Sequence, residues 1–169
     1  MRLPFLDTPL RRMFGRNCLR PAPPAQFAID VIFVIDASRN IGSAIFQQAK
    51  FFVSQMIDYF DVDGGLARVG ACSYSANVVS SFNLNAHRTA ANVKAAIMSL
   101  SYSGGNANTA AALAYVRTSM LTAAAGDRIN VPNLIVILTD GPSTDPSGAR
   151  VSAVECCYHR MSKKMRYNV

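Results

Sequence analysis

The clearest hydrophobic pattern in the chain is an unbroken apolar run. Ile29, Val31, Ile32, Phe33, Val34 and Ile35 lead to Asp36-Ala37-Ser38. A β-branched run of this length without polar alternation predicts a strand buried on both faces, as in a parallel sheet covered by helices. Ile41, Ile45, Ala49, Phe52, Met56 and Phe60 follow at spacings of three and four, which predicts a helix from Ile41 to Phe60 with one apolar stripe. The glycine-containing stretch Asp61–Leu66 punctuates the pattern. Strands are then expected at Ala67–Ser75 and Val78–Leu84. The Ala76-Asn77 turn between them has the length of an antiparallel hairpin.

Ala90, Val93, Ile97 and Leu100 mark a second helix, and Ser103-Gly-Gly-Asn-Ala-Asn breaks it. An Ala-rich helix opens at Thr109, with Leu113, Val116 and Met120 on one face. Val131 to Thr139 is another apolar strand, and it too runs into an aspartate, Asp140. A polar loop follows from Gly141, and Ala149–Glu155 has the start of a further helix. This alternation predicts an α/β doubly wound, mostly parallel, Rossmann-like sheet with one antiparallel hairpin strand. Parallel strands deliver their C-terminal ends to one edge, where such sheets bind ligands, so Asp36 and Asp140 are expected to converge.

Charge changes the picture only at the ends. The formal charge of +7 divides into +4 from residues 1–26 (five Arg, one Asp) and +3 from residues 155–169 (two Arg, two Lys, one Glu). Residues 27–154 carry eight basic and eight acidic side chains and sum to zero. A nucleic-acid-binding domain places its charge on the folded body, so no nucleic-acid partner is expected. The domain organisation read from this is a basic, Pro-rich segment at 1–26, a folded domain at 27–155 and a basic tail at 156–169. The N-terminal stretch has no continuous apolar core of the signal-peptide kind, and no run reaches the length of a transmembrane helix.

Cys18, Cys72, Cys156 and Cys157 have neither framework nor zinc spacing, and Cys72 reads as a small buried hydrophobe. His87 and His159 stand alone, away from any nucleophile, and read as surface or helix-end residues.

The ordered segments Asp30-Val-Ile-Phe-Val-Ile-Asp-Ala-Ser, Arg68-Val-Gly-Ala-Cys-Ser-Tyr-Ser, Phe82-Asn-Leu, Tyr102-Ser-Gly-Gly-Asn-Ala-Asn-Thr and Val131 through Asp140-Gly141 resemble the von Willebrand factor type A domain family, of the matrilin and collagen-associated kind. The resemblance covers Ala28 to Val154. It implies a metal-ion-dependent adhesion site binding Mg²⁺ (or Mn²⁺ or Ca²⁺) and an extracellular protein ligand of collagen or matrix type. Asp36, Ser38 and Asp140 match the family's metal ligands. Asn40 stands where a second Ser belongs, and Ala107 stands where a ligating Thr belongs, while Thr109 matches a second Thr that usually does not ligate. Gly105, Asn106 and Gly141 belong to the matching ligand-facing loops. One hydroxyl is lost and another replaced, so weak or absent metal binding is expected.

The resemblance also implies that the chain lacks the family's last strands. The fourth strand would then form an exposed edge, open to self-association. The reading is a non-enzymatic, extracellular binding module. The alternatives are a metal-dependent phosphoryl-transfer or hydrolase domain using Asp36, and a truncated form without function of its own. A base beside a nucleophile is not evident in the sequence, which weighs against the enzyme.

Overall fold

The computed structural model describes residues 27–139 and Thr144. Strand β1 (Ile29–Asp36) is the spine of the fold. It pairs in parallel with β2 (Ala67–Tyr74) on one side and with β4 (Asn133–Leu138) on the other. Strand β3 (Val78–Phe82) adds antiparallel to β2, with a bulge at Ser73/Tyr74, and the order is β3-β2-β1-β4. The expected mixed sheet is therefore present.

Both faces of β1 are buried, as its unbroken apolar run requires. Val31, Phe33 and Ile35 pack with residues of helices α1 (Gly42–Met56) and α2 (Ala90–Ser99), including Phe46, Val53, Val93 and Ile97. Ile32 and Val34 point the other way. They meet Ala112, Val116 and Met120 of helix α3 (Thr109–Tyr115) and the π-helical turn Val116–Met120 that continues it. The Thr89 hydroxyl caps α2 by accepting from the Asn92 amide, and the Asn108 side chain caps α3 by accepting from the Ala111 amide.

The apolar stripe of α1 differs from the sequence expectation. Ile45 and Phe52 are 50% and 57% exposed, whereas Phe46, Val53 and the following Ile57 are buried. Ile41, Ala49, Met56 and Phe60 of the expected stripe do face the core, so the buried face is shifted toward Phe46, Lys50 and Val53 and leaves Ile45 and Phe52 outside it. Lys50 lies on that buried face. Its ammonium donates to the carbonyls of Met98 (2.7 Å) and Leu100 (3.0 Å) and sits 5.1 Å from the Phe46 ring centroid. It thereby satisfies two carbonyls at the end of α2, where a helix leaves acceptors orphaned and favours a cation.

Burial pushes the Lys50 ammonium below its ordinary pKa of 10.5. The unfolded chain therefore binds more protons than the folded one just below 10.5, and stability rises with pH through that window. Lys50→Met should remove that rise. It should also cost about 1–3 kcal/mol at neutral pH through the two stranded carbonyls. Urea unfolding at pH 7 and pH 10 measures both effects.

Cys72 is buried and free, as expected of a core residue, and desolvation pushes its thiol up to about 12. His87 is half-buried with its ring edge-on to Phe82. Among the described residues β4 pairs only with β1 and lies at an edge of the sheet, with Leu134 and Ile137 more than a third exposed. No helix among the described residues is long and apolar enough to cross a membrane. The expected N-terminal tether, the helix at Ala149–Glu155, the basic tail, His159 and the other cysteines lie outside the described residues.

Candidate functional site

The register fixes what stands at the C-terminal edge of the sheet. Asp36 pairs with Tyr74, and Ile35 pairs with Leu138, so the ends of β1, β2 and β4 meet there. Asp36 is fully buried. Its Oδ1 accepts from the Ser38 amide at 2.8 Å, and its Oδ2 accepts from the Thr139 hydroxyl at 2.9 Å. Thr139 immediately precedes Asp140, so the end of β4 is tied to Asp36. Asp140 and Gly141 themselves lie outside the described residues.

Tyr74 and Thr139 were missed by sequence reasoning. The Tyr74 hydroxyl is hydrogen-bonded to Thr109 Oγ1 at 3.0 Å. Its pKa is raised, first by desolvation and further by the Asp36 charge, while hydrogen bonds with Thr109 and Thr139 oppose the rise. Asp36, Tyr74 and Thr109 thus form a buried polar floor, with the exposed Thr139 at its rim. Tyr74 was legible in principle, because it ends the strand paired with the one that ends in Asp36.

The loop Gly104–Asn108 is set on this floor by backbone hydrogen bonds. The Gly104 amide donates to the Ala37 carbonyl (2.9 Å), the Arg39 amide to the Gly105 carbonyl (2.8 Å) and the Asn108 amide to the Ser75 carbonyl (2.8 Å). The Ser103 hydroxyl donates to Ser75 Oγ. Gly104 takes a φ of +74°, a left-handed turn in which a side chain is strained. Ala107 is buried within the loop, and Asn106 is exposed.

The donor set bears on whether a cation fits. The Ser38 hydroxyl is buried without a hydrogen-bond partner. An orphaned buried oxygen beside a buried carboxylate is chemistry that a hard cation satisfies. Asp36 and Ser38 therefore fit an oxygen-only site in part. Ala107 offers no side-chain oxygen, Asn40 is exposed, and Thr109 is engaged with Tyr74. No cluster of three or more His, Cys, Asp or Glu exists among the described residues, so such a site would rest on hydroxyls, carbonyls and few carboxylates.

The family model described as von Willebrand factor type A domain matches residues 30–161. The chain belongs to this family. Similar chains include mouse collagen alpha-1(XX), 36% identical over 143 residues, which covers 85% of this domain chain and 10% of the relative. Human matrilin-1 is 36% identical over 118 residues, covering 70% and 24% respectively. The type A chain thus spans a quarter or less of these relatives' length. Among solved structures, proximal thread matrix protein 1 from the mussel byssus superposes with a TM-score of 0.73 at 24% identity, over 79% of this chain and 36% of that one. A structure of the same mussel protein with a zinc-occupied metal-ion-dependent adhesion motif gives a TM-score of 0.70 at 21% identity, over 79% and 34%. At these identities the likeness shows the fold, which confirms the expected α/β type A architecture.

Proposed function

We propose that the chain is an extracellular, non-enzymatic binding module for a matrix protein of collagen type, with an ion site weakened by the loss of a ligating hydroxyl. The observation that carries the reading is the pairing of Asp36 with the unpartnered, buried Ser38 hydroxyl at the sheet's C-terminal edge. Its likeness to collagen and matrilin chains supports the class of partner. Asp36, Ser38 and Asp140 would hold Mg²⁺, Mn²⁺ or Ca²⁺. Asn40 and Thr109 are secondary candidates, and Gly105, Asn106 and Gly141 would line the ligand face. A bound cation would offer an open coordination position to a partner carboxylate.

The residues of this chain do the positioning. Thr139 and the Ser38 amide hold the Asp36 carboxylate, and backbone hydrogen bonds fix the loop bearing Ala107. The described site residues offer no base beside a nucleophile, which supports binding over hydrolysis. The uncharged edge of β4, with Leu134 and Ile137 exposed, supports pairing with a second copy at high concentration.

Solid-phase binding to fibrillar collagen, with and without EDTA, tests the reading, alongside an assay for phosphomonoester hydrolysis with Mg²⁺. The expected result is saturable binding that EDTA weakens only slightly, with no hydrolysis. Hydrolysis lost in Asp36→Asn, with no collagen binding, would overturn it.

A further inference from the structure

Strand β3 forms the other edge of the sheet: among the described residues it pairs with β2 alone. Edge strands are ordinarily blunted by a charge, a proline or a bulge, because their unpaired backbone groups template further pairing. The sequence Val-Val-Ser-Ser-Phe offers neither charge nor proline. A bulge opposite Ser73/Tyr74 skips Val79, but Ser80, Ser81 and Phe82 beyond it keep regular register with Ser73, Cys72 and Ala71. Val79 is 38% exposed and Ser81 is exposed, so this edge is open to solvent.

A groove runs along each face of the strand. On the α2 side, Phe82 and His87 face Asn92, Ala95 and Ser99 across about 540 Å³. On the α3 side, Asn77 and Val79 face Ala111 and Tyr115 across about 530 Å³. Ser80 and Ser81 belong to the walls of both. Their hydroxyls are already engaged: Ser80 Oγ with Ser73 Oγ and the Ser101 amide, Ser81 Oγ with the Tyr115 hydroxyl. Neither wall carries a Lys, Arg, Asp or Glu side chain among the described residues.

We propose that β3 is a docking edge for an extended segment of a partner protein, which adds as a further strand and sets large uncharged side chains into the two grooves. Successive residues of a strand point to opposite faces of the sheet, so adjacent residues of one added strand reach both grooves. Main-chain hydrogen bonds then supply affinity, and the grooves supply selectivity. Uncharged walls select against charged side chains, which would lose water without gaining a counter-ion. For the same reason the basic segments 1–26 and 155–169 are poor occupants, and Pro21, Pro23 and Pro24 cannot donate to a ladder. A second copy of this chain is a poor occupant too. Its β3 would bring Ser80 and Ser81 to the grooves, small side chains already bonded within their own copy. This edge needs no ion, so the proposal stands apart from the reading of Asp36 and Ser38.

The test selects phage-displayed linear peptides on the immobilised full chain in EDTA, which takes the ion site out of play. The expected result is enrichment of peptides with two adjacent large uncharged residues and no proline beside them. The most enriched peptide is then synthesised and titrated by fluorescence anisotropy, plain and N-methylated at either alternate set of residues. Only every second N–H of an added strand faces β3. One methylated set should therefore weaken binding about tenfold through lost ladder bonds, and the other less than about twofold. Ser81→Lys, a charge on the exposed edge, and Ala95→Phe, which fills the α2-side groove from an exposed helix position, should each weaken it about tenfold. The N-methyl comparison uses the wild type and so decides the question even where a variant fails to fold. No enrichment, equal effects of the two methylated sets, or folded variants with wild-type affinity would each overturn the proposal. A concentration-dependent dimer in sedimentation that Ser81→Lys dissociates would also overturn it, giving the edge to a second copy.

Discussion

Asp30→Ala should destabilise the domain by about 3 kcal/mol, and more than any substitution at the ion site. Asp30 opens the strand whose other end carries Asp36, and its carboxylate is completely buried. Arg128 occupies it from two directions: Nε donates to Oδ1 at 2.8 Å and the Arg128 amide donates to Oδ2 at 2.9 Å. The same guanidinium donates through Nη2 to the carbonyls of Ile29 and Leu66, both at 2.9 Å, and through Nη1 to Gly65 at 3.2 Å. One side chain thus ties together the N-terminal ends of β1 and β2 and the segment leading to β4. Removing the carboxylate leaves the Arg128 charge, still largely buried, without its counter-ion, which is why breaking a buried pair costs more than the pair is worth. Arg128→Ala should cost a similar amount, and the double substitution should cost less than the sum. Equilibrium urea unfolding measures all three; a loss below about 1 kcal/mol for Asp30→Ala would mean that the clamp contributes little.

Ala107→Thr should raise the affinity for Mg²⁺ and Mn²⁺ by about 10- to 100-fold. That range converts the 1.5–3 kcal/mol typical of one contact from a neutral oxygen to a charged group. The position belongs to a loop already fixed by the hydrogen bonds of Gly104, Gly105 and Asn108, so the new hydroxyl would be presented from a rigid frame. Serine at 107 should recover part of the gain and valine none, and that order separates a ligand effect from a change in packing. Isothermal titration measures it. Equal affinities for wild type and Ala107→Thr would mean that the missing hydroxyl is not what limits the site.

The sheet and its central strand were legible in the sequence because their physics is local. A β-branched run with no polar break has few alternatives to a strand buried on both faces, and two such runs in parallel bring their C-terminal ends, at Asp36 and Leu138, to one edge. That Ile45 and Phe52 of α1 turn outward was not legible. This helix carries apolar side chains at Ile45 and Phe52 as well as at Phe46 and Val53, and both sets recur at helical spacing. Periodicity identifies a helix but cannot choose between two stripes one residue apart. The choice is made by the partners across the core, and it buries Lys50, which a polarity pattern assigns to solvent. The same limit hid Asp30, whose counter-ion Arg128 is 98 residues away.

At the candidate site, the Ser38 amide donates to Asp36, and the departure at Ala107 could be read directly in the sequence. Thr139 was not foreseen, because its role depends on the register of β4 against β1.

The most direct test of the weakened ion site is the Mg²⁺ and Mn²⁺ affinity of the wild-type chain, titrated beside Asp36→Ala. The account predicts a Kd of about 1 mM or weaker for both ions, within the range of poorly provisioned oxygen sites, and no measurable binding in Asp36→Ala. Binding at about 10 µM or tighter that Asp36→Ala abolishes would show a fully competent site and contradict it.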